Sequence, residues 1–133
     1  KNKNKRNYFF DNNIENEDSL YKSDIMITDW SGVGIDFAFG LERPVIYCNL
    51  PKKINNPNYK KLNILPFEEF IRKDIGIICE IDDINKINTK IIQLYQNKEV
   101  IKEKIKKARK NWIYNTKCSA EKGLKELLRQ IKK

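Results

Sequence analysis

Apolar residues follow two rhythms along this chain. Up to about residue 82 they come in short blocks bounded by polar or turn residues, and beyond it they recur at helical spacing. Asp24-Ile25-Met26-Ile27-Thr28 has the form of a strand buried on both faces of a parallel sheet and is read as the central strand. Pro44 to Cys48 reads as the next strand, opened by a proline where the missing donor does least harm. A third strand is expected around Ile75 to Cys79, and Tyr8 to Phe10 is a further short apolar stretch. Helices are expected between them: a brief one over Glu17 to Lys22, one from about Gly32 to Phe39, and a short one over Phe67 to Arg72. Ser31 suits the N-cap of the second, and Gly40 its stop. Asn49 to Asn63, rich in Pro, Asn and Lys, is too long for a minimal connection and is a candidate functional loop.

From Asp83 onward, Ile84, Ile87, Ile91, Leu94 and Tyr95 mark one helical face, and Val100, Ile101, Ile105, Ala108 and Trp112 mark the next. Ser119 can cap a last helix carrying Leu124, Leu127, Leu128 and Ile131. Strand–helix alternation predicts an α/β fold with a parallel sheet flanked by helices. The expected organisation is a single domain, with an α/β core over residues 8–82 and a helical segment over 83–133.

At 133 residues the chain is one domain's worth of sequence, with 40% apolar and 11% aromatic residues, which excludes wholesale disorder. No apolar run approaches the length of a membrane span. The start, Lys1 to Asn7, is a polar Lys/Asn run without the look of a signal peptide, and the absence of Met at position 1 is compatible with a piece of a longer polypeptide. Three widely spaced cysteines, Cys48, Cys79 and Cys118, suit buried thiols in a reducing, cytoplasmic compartment. There is no histidine and no Cys-x-x-Cys, so the usual zinc or copper ligands are not assembled and imidazole acid–base catalysis within these residues is excluded.

The net charge of +9 changes meaning once it is located. Residues 98–133 hold 13 Lys/Arg against 4 Asp/Glu and so carry the whole excess, while residues 1–97 hold 14 of each. Because Lys1, Lys3, Lys5 and Arg6 are among those, the body from residue 8 to 97 is mildly acidic. Solvation is the first reading of the basic terminal helices, and peripheral attraction to an anionic membrane surface is the second. Nucleic acid ranks third, since the segment has no interleaved row of aromatics and no binding motif.

In an open parallel sheet, ligands sit where strand carboxyl ends lead into helix N-termini. Ile27-Thr28-Asp29-Trp30-Ser31-Gly32-Val33-Gly34-Ile35-Asp36 is such a junction. Amides of Ser31, Gly32, Val33 and Gly34 would point outward with the positive end of the helix dipole, and the two glycines would let a phosphate approach the backbone. Gly32-x-Gly34 is not the dinucleotide fingerprint, because Phe37 stands where the third glycine belongs. The plainer reading of the same residues is a capped helix packed by small side chains against its sheet.

The stretch Ser23 to Gly32, followed by Asp36-Phe37-Ala38 and Arg43-Pro44-Val45-Ile46, resembles the C-terminal, nucleotide-binding half of CDP-glycerol glycerophosphotransferases of the teichoic-acid and capsule type. The likeness is dense over residues 23–48 and looser through residue 131, where Trp112-Ile113-Tyr114-Asn115 and Ser119-Ala120-Glu121 look like the family's closing helices. More distantly, Gly34, Asp36, Ala38, Gly40 and Pro44-Val45-Ile46 resemble a pattern of two-domain glycosyltransferases. The resemblance implies the Rossmann-like donor lobe of a GT-B-type enzyme that moves glycerol phosphate from CDP-glycerol to a hydroxyl on a membrane-linked envelope polymer. It also implies a separate acceptor lobe carrying the catalytic histidines, so that these residues alone would bind a donor without turning it over.

Carried across, the resemblance seats the donor pyrophosphate on Ser31, Gly32 and the Val33 amide, turns Asp36 toward a ribose hydroxyl, lets Asp29 orient the loop or touch the donor, and offers Arg43 to phosphate charge. For Asp36 the alternative is interaction with its own helix dipole, for Asp29 a turn and capping role, and for Arg43 an ordinary surface position. The reading requires no metal and no cofactor. One departure concerns the donor: the better-known polymerases follow the Pro-apolar strand with an Arg-Gly-aromatic loop, and this chain has Pro51-Lys52-Lys53-Ile54-Asn55-Asn56-Pro57-Asn58-Tyr59 instead. Rival readings are a sugar transferase using another nucleotide-linked donor and a non-catalytic α/β binding module. A receiver-like module with Asp24 or Asp29 as phosphoacceptor would need a lysine closing a later strand, and Ile77-Ile78-Cys79-Glu80 offers none.

Overall fold

The protein's structure is a computed structural model that describes residues 7–12, 18–52, 54 and 56–131. Three parallel strands, β1 (Met26–Thr28), β2 (Val45–Cys48) and β3 (Gly76–Cys79), form a sheet in the order β1-β2-β3. Met26 stands opposite Val45 and Thr28 opposite Tyr47, while Val45 faces Gly76 and Cys48 faces Cys79. The helices are α1 (Asp18–Lys22), α2 (Val33–Leu41), α3 (Phe67–Phe70), α4 (Arg72–Ile75), α5 (Ile87–Gln96), α6 (Lys98–Trp112) and α7 (Ser119–Ile131). This is the expected α/β class, a small parallel sheet flanked by helices in a Rossmann-like arrangement with helices at the C-terminal end.

β2, not β1, is the central strand. Its Val45, Ile46 and Tyr47 are almost completely buried, whereas Ile27 of β1 is 48% exposed at an edge of the sheet. Strand alternation divides the core. On one face Val45 and Tyr47 pack with Phe37 and Ala38 of α2, Ile71 and Ile75 around α4, and Ile105 and Ala108 of α6. On the other, Ile46 and Cys79 meet Leu94 of α5. The C-terminal helical segment therefore contributes to the same core as the strands through α5 and α6, while no residue of α7 is buried.

Several element boundaries differ from the pattern-based expectation. The helix foreseen over Phe67 to Arg72 is two short helices meeting at Ile71, and Ile75 ends the second rather than opening β3. Ile81–Lys86 is a 3₁₀ segment that postpones α5 to Ile87, although Ile84 shares the helical spacing. The long loop after β2 contains a 3₁₀ turn at Tyr59–Leu62, with Lys53 and Asn55 outside the described residues. Tyr8, Phe9 and Phe10 are exposed and belong to no strand. Glu17, expected to open α1, also lies outside the described residues, as do Lys1, Lys3, Lys5 and Arg6.

Gly40 does not stop α2. The helix runs through it to Leu41, and the left-handed residue that ends it is Glu42 (φ 56°). That conformation is strained for a non-glycine residue, and the Glu42 side chain is anchored by Arg109 of α6, whose Nη2 lies 2.7 Å from Oε1 while its Nη1 donates to the Phe39 carbonyl at 2.6 Å. Since a Cβ on Gly40 would meet nothing within 4 Å, Gly40→Ala is expected to stabilise the protein by about 0.5–1 kcal/mol, read as a higher midpoint in chemical denaturation.

Candidate functional site

The carboxyl ends of all three strands open on one edge of the sheet, where the loop after β1 turns into α2. Gly32 already has helical angles (φ −60°, ψ −27°), so Ser31 stands at the N-cap, and its Oγ accepts from the Val33 amide at a long 3.4 Å. The Gly34 amide turns back to the Ser31 carbonyl at 3.3 Å. Among the described residues the Gly32 amide has no protein acceptor. The exposed opening of α2 is thus Ser31, Gly32 and Val33, loosely capped and at the positive end of the helix dipole.

Gly34 has a different place. It is buried, and a Cβ there would come within 2.9 Å of the Tyr47 hydroxyl and 3.1 Å of Thr28 Cγ2. Its small size lets the first turn of α2 lie down on β2, while its amide is spent inside that turn. Asp36 is one turn further along α2 and exposed, in a groove of about 300 Å³ between α1 and α2 that Leu20, Tyr21, Val33 and Phe37 also line. Arg43 follows α2 at the opposite, amino-terminal edge of the sheet. Nine residues of helix, about 13 Å, separate it from the α2 opening. Its Nη1 donates to the carbonyls of Tyr21 and Ser23 at 2.6 and 2.7 Å, so the guanidinium holds the end of α1 and is not gathered with Ser31 and Gly32.

A second groove, of about 370 Å³, lies on the other side of the α2 opening, lined by Trp30, Gly32, Lys52, Pro66, Glu68 and Glu69. Trp30 is fixed there by its indole N–H, which donates to the Leu50 carbonyl at 2.6 Å. Lys52 lies 4.8 Å from the Trp30 ring and pairs with Glu69. Asp29 is exposed at the end of β1.

Beneath this edge is a residue that pattern reading missed. Arg72, the first residue of α4, is only 2% exposed. Its guanidinium lies 3.9 Å from the Trp30 ring and 4.8 Å from that of Tyr47, and its Nη1 donates to Asn49 Oδ1 at 3.3 Å. Asn49 is in turn held by Glu80, following β3, at 2.8 Å. Burial lowers the Arg72 pKa, opposed by Tyr47, Glu80, Glu69 and Asp29. Burial likewise pushes the Tyr47 phenol far above its ordinary value, an effect only partly offset by Arg72. In sequence, Arg72 stands in the charged run Glu68-Glu69-Phe70-Ile71-Arg72-Lys73-Asp74, which reads as a solvated helix. Its burial comes from Trp30 and Tyr47, which meet it from distant segments.

A model of the CDP-glycerol:poly(glycerophosphate) glycerophosphotransferase family matches residues 1–127. The chain belongs to this family. No curated protein and no solved structure matches it. Membership gives this glycerophosphotransferase family protein a transferase-type function and a nucleotide-linked donor such as CDP-glycerol as its expected ligand. The match covers both edges of the sheet, including the α2 opening and the two grooves beside it. No described helix is long and apolar enough to cross a membrane.

Proposed function

We propose that this chain is the donor-binding lobe of a CDP-glycerol glycerophosphotransferase with a GT-B-like arrangement, acting in the synthesis of an envelope polymer of the teichoic-acid or capsule kind. The observation that carries this reading is the loosely capped opening of α2 at the carboxyl edge of a parallel sheet, with a groove on either side. A diphosphate placed there accepts hydrogen bonds from the Gly32 and Val33 amides and the Ser31 hydroxyl, where the helix dipole favours negative charge. Val33 borders the α1–α2 groove and Gly32 the Trp30 groove, so the two halves of the donor extend to opposite sides. The nucleoside lies on the Asp36 side, with that carboxylate accepting from a ribose hydroxyl, and the glycerol lies toward Trp30, where Glu68 offers an acceptor for its hydroxyls. Asp29 orients the loop. Arg43 supports α1 in this reading.

Departure of CMP from the glycerol phosphate places growing negative charge on the phosphate that the α2 amides hold, and fixed donors stabilise such charge without reorganising. An imidazole base would have to come from an acceptor lobe, since this sequence contains no histidine, and in this reading the lobe by itself binds without turnover. The basic C-terminal helices suit a peripheral position at the inner face of an anionic membrane. α7 exposes Leu124, Leu127, Leu128 and Ile131 and also carries Lys122, Lys125 and Arg129. Calorimetric titration of the chain separates this donor from its rivals. CDP-glycerol is expected to bind at least about tenfold more tightly than CMP, glycerol 3-phosphate or a UDP-sugar, the equivalent of one additional engaged group. A UDP-sugar binding as tightly as CDP-glycerol would favour the sugar-transferase reading.

A further inference from the structure

Arg72 is a buried cation without a buried anion. Among the described residues it is the one charged side chain in the core, and no carboxylate forms an ion pair with it. Its Nε and Nη2 have no hydrogen-bond partner, and neither has the Tyr47 hydroxyl beside it. Guanidinium donors taken out of water and left unused are costly, and a charge removed from solvent is retained at low cost only when a counter-charge meets it. Two aromatic rings hold this guanidinium in place, and Asn49 occupies one of its nitrogens, leaving the Nε/Nη2 edge, the edge that grips two oxygens of one phosphate, free. The same side chain lies against Trp30, which borders the groove at the Gly32 amide.

We propose that Arg72 is an anion-binding residue of the donor site, taking a phosphate oxygen pair on its Nε/Nη2 edge once the Trp30 indole releases the Leu50 carbonyl and shifts from over it. The proposal rests on the reading of the α2 opening as the diphosphate seat and adds to its amides a cationic contact from α4. It also accounts for the site's charge. Lys52 is already paired with Glu69, and Glu68 and Glu69 line the groove, so without Arg72 a dianionic ligand would meet no unpaired cation among the described groove residues.

Titration of the ¹⁵N-labelled chain with inorganic pyrophosphate and, separately, with CDP-glycerol tests this through side-chain as well as backbone signals. The Arg72 Nε–H and Trp30 indole N–H resonances are expected to move and saturate together with the Gly32 amide. If Gly32 and Val33 move while Arg72 Nε–H stays still, the donor seat stands and the Arg72 proposal is overturned. If none moves, both fall. If Arg72 moves without Gly32, Arg72 binds anions and the α2 seat is wrong. Arg72→Met, close in volume, is expected to weaken pyrophosphate binding about 10- to 100-fold, with Arg72→Lys between the two because a point charge replaces a fork. Lys125→Met, which removes an exposed pair with Glu121 on α7 away from both grooves, is expected to change it less than about twofold. At one pyrophosphate concentration the rise in melting temperature should be clearly smaller for Arg72→Met than for the wild type. An equal rise in both would sink the proposal, and if the Met variant does not fold, the Nε–H titration decides alone.

Discussion

Gly76→Ala is expected to abolish the stable fold. A Cβ on Gly76 would lie 1.9 Å from the Val45 carbonyl oxygen and 2.8 Å from its carbon, both backbone atoms of the central strand. The backbone at Gly76 is extended (φ −175°), a conformation open to any residue, so the requirement for glycine here is one of space. No rotamer change relieves a contact with main chain. β3 must separate from β2, and with it Cys79 leaves its place between Ile46 and Leu94. The cost should be at least about 3 kcal/mol, at the upper end for an overpacked core, and the chain should lose cooperative unfolding in a urea titration followed by circular dichroism. Gly40→Ala is the matched control: the same substitution, made where nothing lies within 4 Å, with the opposite sign.

The second large effect concerns the two glycines that open α2, which look equivalent in sequence and are not. Alanine favours a helix over glycine by about 1 kcal/mol, yet at Gly34 the added carbon meets Tyr47 Oη at 2.9 Å, Tyr47 Cε1 at 3.0 Å and Thr28 Cγ2 at 3.1 Å. Tyr47 is 1% exposed and cannot swing aside, so the first turn of α2 must lift from the sheet. Gly34→Ala should therefore destabilise the protein by about 1–3 kcal/mol and weaken donor binding as well. Gly32→Ala meets nothing within 4 Å of its own chain, so stability should stay within about 0.5 kcal/mol of the wild type while donor affinity falls, because the new methyl stands where the phosphate approaches. Thermal melts and calorimetric titrations of both variants check the pair. A Gly32→Ala protein that binds as well as the wild type would mean that the ligand does not touch this turn.

Much of the architecture is visible in the order of residues because short apolar blocks and 3.6-residue periodicity report burial directly. β2, α2, α6 and α7 were all legible this way. Which strand is central was not, since Ile25-Met26-Ile27 and Val45-Ile46-Tyr47 have equally apolar sequences and only pairing on both edges distinguishes them. Glu42 could not be foreseen as the helix stop. Local preference points to Gly40, and the ion pair that holds Glu42 comes from Arg109, 67 residues away. At the site, Ser31 and Gly32 were readable because a cap and a small residue after a strand have a local meaning. Gly34 and Arg43 had the same local credentials, but tertiary packing gives Gly34 to Tyr47 and Arg43 to the carbonyls of Tyr21 and Ser23. Arg72 carried no local signal at all, because its burial depends on Trp30 and Tyr47 arriving from distant segments.

Donor binding by this chain turns on a diphosphate docking at the opening of α2. Backbone amide shifts recorded while CDP-glycerol is added to the labelled chain test that most directly. The largest saturable changes should fall on Gly32 and Val33, with Asp36 following and the Arg43 edge unaffected. Largest changes at the Arg43 edge, or no change at Gly32 and Val33 at millimolar ligand, would contradict it.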